Sequence, residues 1–448
     1  MEKQEKLEKQ LDSFEADERK EALSELWAMA RAGKIELPEN NTDVNLHLHT
    51  FYSYNACGYS PSRIAWKARK RGLAVTGIVD FDVFDGLDEF LEASKLIGLK
   101  GCVGMETRVY VPEFADKEIT SPGEPGITYH MGVGFSESAV PDAFVNFKSD
   151  LKATVQKRNR DLIGRVNQYL SPVELDFEKD VCPLTPSGNA TERHICLAYA
   201  QKARSLFPDD KSLASFWQEK IGITIDDPDE FMGAGLQGTI RAKTMKRGGV
   251  GYVQPGEGSF PTMSDTNEFI LGAGGIPTFT WLNGLSDGEK EIEKLLEIAM
   301  SSGVAAINII PDRNFTAGVK DEKLANLQHV VKLAVSLDLP IVVGTEMNSP
   351  GLKFVDDLDS EELSPMAPIF LKGAYIVYAH SVMQKQLGLG YLSSWAKTNF
   401  ASTAAKNDFY EKVGTILEPS KEDLLNELKE PKITPEQIIE KINNQKVL

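Results

Sequence analysis

The chemistry open to this chain rests on six histidines and a few acids placed near the ends of apolar runs. His47 and His49 stand as His-Leu-His. Residues two apart on an extended strand point to the same face, so both imidazoles would project together. Two neutral ring nitrogens aimed at one point can share a cation. Alone the pair says little, because solvated or core histidines are commoner than metal ligands. Further candidates follow: Asp80 in Ile78-Val79-Asp80-Phe81-Asp82, Glu106 in Gly104-Met105-Glu106-Thr107-Arg108, His130 in Tyr129-His130-Met131-Gly132, and His194 in Thr191-Glu192-Arg193-His194. Asp80 or Glu106 by itself would read as a helix cap or a solvated loop residue. If the runs are barrel strands, however, their C-terminal ends share one face, and groups far apart in sequence converge there. Such a set of imidazoles and carboxylates suits Mn2+, Fe2+ or Zn2+, without deciding among them.

An anionic substrate would need cations of its own. Arg108 lies beside Glu106, Arg193 beside His194, and Arg313 follows another apolar run. Arg241, Lys246 and Arg247 lead into Gly248-Gly249-Val250-Gly251, whose backbone amides could cradle an anion or simply connect two elements. Guanidinium matches phosphate in a two-pronged geometry. The formal net charge of -17 acts the other way. It repels polyanions at long range and argues against a nucleic-acid partner, which needs many cations to displace counterions. A small phosphate substrate would therefore depend on local positive charge. His329 and His380 fall in helical stretches away from other ligand types and read as structural, while Trp281 could shape a pocket or pack the barrel.

The elements that must position these groups can be read from periodicity. Strand-like segments cover residues 43–49, 73–79, 100–111, 126–135, 275–281, 305–310 and 340–344, with helical stretches at 61–71, 87–96, 287–301 and 322–337. Strands alternating with helices predict an α/β architecture with a parallel sheet, and seven strands favour a closed, TIM-like barrel. Residues 1–40 read as a helical N-terminal extension, 41–140 and 268–360 as the barrel, 141–267 as a largely helical insertion and 361–448 as a C-terminal helical region. Four scattered cysteines suggest reduced thiols rather than a disulfide scaffold. The charged N-terminus has no apolar signal core, and no apolar run is long enough to span a bilayer. The expectation is a cytoplasmic protein with no membrane partner.

This ordered set resembles the PHP (polymerase and histidinol phosphatase) domain family, metal-dependent phosphoesterases on a distorted seven-stranded β/α barrel. The likeness runs from residue 43 to about 348, interrupted by the insertion. The family's opening motif is similar to His47, His49, Ser53, Gly58 and Pro61. Its second-motif aspartate resembles Asp80, its bridging glutamate Glu106, its next histidine His130, and its later histidine, often preceded by arginine, His194. Departures stand beside the matches. Phe81 replaces a histidine found in many members, Thr280-Trp281-Leu282 replaces Ala-His-Pro, and Glu346-Met347-Asn348 is the best match to a closing Asp-x-His.

The resemblance implies hydrolysis of a small molecule's phosphate ester by metal-activated water at a two-metal centre. Glu106 would bridge; His47, His49 and Glu346 would complete one ion, and His130 and His194 the other. Asp80 or Asp82 would orient the water or hold a weak third ion. Arg193 and Arg313 would act on the reacting phosphate, with Arg108, Arg241, Lys246, Arg247 and Asn348 as further phosphate contacts. Two other readings stand beside this one. An amidohydrolase-like enzyme of C–N or C–O bonds also opens with His-x-His, but usually carries a bridging lysine for which this chain has no candidate. A degenerate barrel that binds metal or ligand without catalysis is suggested by the imidazoles lost at Phe81, Trp281 and Asn348.

Overall fold

Seven short segments rich in Val, Ile and Leu pair edge to edge in chain order: β1 (Val44–Leu48), β2 (Val75–Phe81), β3 (Lys100–Tyr110), β4 (Ile127–Val133), β5 (Ile276–Trp281), β6 (Ala306–Ile309) and β7 (Ile341–Val343). The computed structural model describes residues 2–256, 258–428 and 433–444. An isolated parallel bridge from Leu48 to Glu346, just beyond β7, brings the last strand back to the first. The result is the expected seven-stranded α/β barrel, nearly closed. Strands β1 to β3 run parallel, as do β5 to β7, with helices such as Pro61–Arg71, Leu87–Leu96, Ile292–Ser301 and Lys320–Ser336 as crossovers.

The sheet is not uniformly parallel. β4 runs antiparallel to both β3 and β5. Between β3 and β4, residues 111–126 carry one short 3-10 turn, Pro112–Phe114, and no α-helix. A parallel return would need a crossover of a dozen residues or more, usually helical. The chain doubles back instead. The rule that functional groups gather at strand C-termini therefore does not carry over to β4.

Local choices fix how the strands reach the site. Helix Pro61–Arg71 starts with the Ser60 side chain accepting from the Arg63 N–H, has proline in its first turn, and stops at Gly72 with φ of 71°. Where β7 ends, Gly344 lets the backbone press against β1. A Cβ there would lie 2.3 Å from Asn45 Oδ1 and 2.6 Å from the His47 backbone nitrogen. Only glycine permits that approach.

By contacts the chain divides into two units. The first comprises Met1–Thr50, Asn55–Val145 and Phe260–Leu448. Its core joins barrel residues such as Val79, Phe279 and Ile307 to Phe370, Tyr378 and Tyr410 of the C-terminal helices. Each fully buried aliphatic side chain there contributes about 1.5–3 kcal/mol from leaving water. The second unit, Phe51–Tyr54 and Asn146–Ser259, holds helices Val145–Leu170, Glu192–Leu206, Asp210–Ile221 and Ala234–Thr244 and, among its described residues, no strand. Val166, Tyr199, Trp217 and Ile240 belong to its separate core. No described helix is long and apolar enough to cross a membrane.

Candidate metal centre

β1 alternates so that Asn45, His47 and His49 share one face, opposite Val44, Leu46 and Leu48. On β3 the same parity sets Glu106 toward them. His47 Nε2 lies 3.2 Å and His49 Nε2 3.3 Å from Glu106 Oε2. Glu346 joins from beyond β7. Ligand atoms of His47, His49, Glu106 and Glu346 all lie within 4.8 Å of one another, and all four residues are buried.

Glu346 reaches this place through strained backbone. It and Met347 both take left-handed conformations, with φ of 64° and 54°, which cost non-glycine residues about 1–3 kcal/mol each. Pairing with β1 offsets that cost. The Glu346 N–H donates to the His47 carbonyl at 2.7 Å, and the His49 N–H donates to the Glu346 carbonyl at 2.9 Å. The acid is thereby stitched between the two histidines. Its side chain accepts from Arg313 Nη2 at 2.7 Å and Nε at 3.0 Å on Oε2, and from Asn348 Nδ2 at 3.3 Å on Oε1.

The tautomer of His47 follows from its neighbours. Asn308, on β6, donates through Nδ2 to the Val342 carbonyl at 3.3 Å, so its Oδ1 faces His47 Nδ1 at 3.1 Å and must accept from it. With Nδ1 protonated, Nε2 is left to present a lone pair toward the acids, the arrangement that outer partners of ligating histidines usually enforce. Burial would depress the His47 imidazole, but the charge and hydrogen bond of Glu106, then Glu346 and Asn308, lift it above its ordinary value. Burial likewise opposes charge on Glu106, and His47 and His49 outweigh it, holding that carboxyl below the usual range. The pocket is one where positive charge belongs, as proton or as metal ion. Two imidazole nitrogens and two carboxylates fit a divalent transition ion.

The other expected residues are placed differently. His130 is not in the donor group. It registers with Thr107 on β3, whereas Glu106 registers with Met131, so the His130 side chain leaves the sheet on the opposite face. There its Nε2 meets Asn267 Oδ1 at 2.6 Å, and burial pushes its imidazole down to about 4. The expectation that it completes a second ion with the others is corrected by this register, which sets His130 and Glu106 on opposite faces of the sheet. His194 lies in the second unit at the start of helix Glu192–Leu206, also outside the donor group. Its Nδ1 accepts from the Thr191 N–H at 3.1 Å, which puts the proton of the neutral ring on Nε2. That ring is shaped as a donor rather than as a metal ligand.

Asp80 accepts at Oδ1 from the Thr50 N–H (2.8 Å) and at Oδ2 from its hydroxyl (2.6 Å), holding the chain where it leaves His49. Asp82, at φ of 61°, accepts from the Thr107 hydroxyl at 2.6 Å. Neither acid is in the donor group. Phe81 stacks on the His49 ring, with centroids 4.2 Å apart. Arg108 pairs with Glu124 at 2.8 Å and lies over the Phe260 ring. In the second unit Arg241 and Lys246 both pair with Glu192 at 2.7 Å, Arg193 opens the same helix, and Arg247 sits in the turn after Ala234–Thr244. Trp281 is buried in the barrel core. His380 is satisfied by backbone, and His329 is an exposed partner of Glu293. Asn308 was not anticipated. Its one signal is a lone polar residue inside Ala-Ile-Asn-Ile.

No family model and no curated protein matches this chain. Solved structures similar to it include an amidohydrolase from Chromobacterium violaceum with bound sulfate and no metal, at 17% identity and a TM-score of 0.48, over 70% of this chain and 93% of that one. Another is a proposed metal-dependent phosphoesterase from Bifidobacterium adolescentis, at 17% identity and a TM-score of 0.47, over 75% of this chain and 98% of that one. At such identities and scores neither bears on the activity of this chain.

Proposed function

We propose that this chain is a metal-dependent hydrolase of small-molecule phosphate esters, a divergent member of the PHP family acting in the cytoplasm without nucleic-acid or membrane partners. The buried group of His47, His49, Glu106 and Glu346 is the single observation that carries the reading. Burying two carboxylates at the mouth of a barrel is costly unless cations accompany them. Mn2+, Fe2+ and Zn2+ all suit the donor set. Hydroxide near neutral pH and relief of charge on a phosphoryl oxygen are the chemistry that a divalent ion supplies in such a place.

The chain's own residues do the rest. Asn308 holds His47 in the Nε2-presenting tautomer. Thr50 and Asp80 fix the turn after His49. Arg313, hydrogen-bonded to Glu346 and 41% exposed, offers a guanidinium to a phosphate at the rim. Arg108, half-buried on the same face of β3 as Glu106, is a further phosphate contact. In the second unit His194 Nε2–H and Arg193 offer donors that fit an anion, beside Arg241, Lys246 and Arg247. The test is hydrolysis of generic phosphate monoesters and diesters by the Mn2+-loaded protein. Activity should vanish in His49→Ala, and full activity in that variant would end the proposal.

A further inference from the structure

We propose that the barrel centre is built for a single divalent ion and that Arg313 supplies the second positive charge, the one that meets an anionic oxygen of the substrate. The inference rests on the metal-hydrolase reading and adds to it the number of ions and the role of one side chain. Among the described residues, one group of metal-capable donors comes together. Its two imidazole nitrogens and two carboxylates fill the shell of one tetrahedral ion, or most of an octahedral one. Among the described residues no further donor joins this group: His130 faces the other side of the sheet and is held by Asn267, and Asp80 and Asp82 are bonded to Thr50 and Thr107.

At the edge of the group the fold provides a guanidinium. Nε and Nη2 of Arg313 both bond to Oε2 of Glu346, at 3.0 and 2.7 Å, so the opposite edge of the guanidinium, carrying Nη1, is turned away from that carboxylate. The Glu346 side chain is 6% exposed and that of Arg313 41%. The pair therefore spans the distance from buried centre to solvent. Asn348 holds the other carboxylate oxygen and fixes the plane of the pair. The charges agree with this arrangement. Two carboxylates balanced by one divalent ion make a neutral centre, and Arg313 then leaves it singly positive. In a chain of net charge -17 that local excess is what an anion needs. A guanidinium is also permanently charged and geometrically matched to phosphate oxygens.

The experiment uses the full chain, stripped of metal, reloaded with Mn2+ and freed of unbound ion. Elemental analysis should find one Mn2+ per chain, with an uncoupled electron paramagnetic resonance signal. Titration of the loaded protein with inorganic phosphate should show Arg313→Met weakening affinity by about tenfold or more, with one ion retained, and Arg313→Lys recovering much of the loss. Two ions per chain with an exchange-coupled signal would overturn the single-ion centre. Unchanged phosphate affinity in Arg313→Met would overturn the anion role. So would loss of the ion from that variant with its circular dichroism intact, since Arg313 would then merely support Glu346. Absence of any bound ion in the wild type would sink the hydrolase reading itself, whereas two ions would leave that reading standing and remove this inference alone.

Discussion

His47 and His380 are equally buried, at 0% and 2% exposure, yet the fold treats them in opposite ways. Around His47 lie two carboxylates and a carbonyl oxygen from Asn308, and the imidazole is lifted above its ordinary value. His380 makes its hydrogen bonds with backbone groups instead. The Tyr391 N–H donates to Nδ1 at 2.8 Å, Nε2–H donates to the Gly274 carbonyl at 3.0 Å, and burial pushes the ring down to about 4. Burial alone thus makes a histidine neutral and inert. It takes converging acids, held in place against their own repulsion, to make a buried histidine part of a cation site. Strain gathers where the acids are: the non-glycine residues with positive φ include Asp82, Glu346 and Met347 at the mouth of the barrel.

The comparison is broken most directly by deletion. His47→Ala should weaken Mn2+ binding by more than about 100-fold, beyond the 10- to 100-fold typical of outer partners, while His380→Ala should lower the unfolding temperature and leave ion affinity unchanged. Ion titration and thermal unfolding of the two variants together check this, and an equal loss of ion from both would erase the distinction. Gly344→Ala should come next. The added methyl meets Asn45 and the His47 backbone at 2.3–2.6 Å, so either β1 or β7 must move. Destabilisation of at least ~1–3 kcal/mol is expected, with loss of ion affinity, because overpacking here displaces a ligand rather than only a core side chain. Denaturant unfolding at unchanged affinity would show that the seam is softer than its geometry implies.

How much of this was legible beforehand follows from the same physics. All seven strands could be read because those of a parallel barrel, covered on both sides, are near-continuous apolar runs. The direction of β4 was written only in what its connection lacks, a crossover helix. His47, His49 and Glu106 could be picked out by residue type at run ends, whereas Glu346 came only from the family resemblance. His130 met the same criterion and lies elsewhere, because the parity of a strand against its neighbour depends on register, and one residue of register exchanges the two faces. The pairing of Arg313 with Glu346, 33 residues apart, depends on irregular backbone that no periodicity reports.

Asn308 sharpens the comparison from the other direction, since it is what separates His47 from a histidine merely near acids. Asn308→Leu keeps the branched shape and removes the acceptor for Nδ1–H. The ring is then free to change tautomer or tilt, and Mn2+ affinity should fall by about tenfold or more, with modest change in stability. Asn308→Asp, which still accepts, should retain more affinity than the leucine variant. Equal affinities in the wild type and the leucine variant would mean that Glu106 and Glu346 alone orient the ring.

The smallest effect tests the inert member of the pair. The folded value of His380, about 4, lies below its ordinary 6.5, so the folded state prefers the neutral ring. Its contribution to stability is present above 6.5 and is lost as pH falls from there toward 4, because the unfolded chain takes up the proton first. From about pH 7 to about pH 6 the loss should amount to ~0.7 kcal/mol. His380→Gln offers an acceptor to Tyr391 and a donor to Gly274 but cannot titrate, so its stability should depend less on pH across that interval by this amount. Urea unfolding of metal-free protein at fixed salt measures the difference. Parallel pH profiles for the two proteins would show that the buried ring protonates as readily as an exposed one, and the contrast with His47 would then owe nothing to burial.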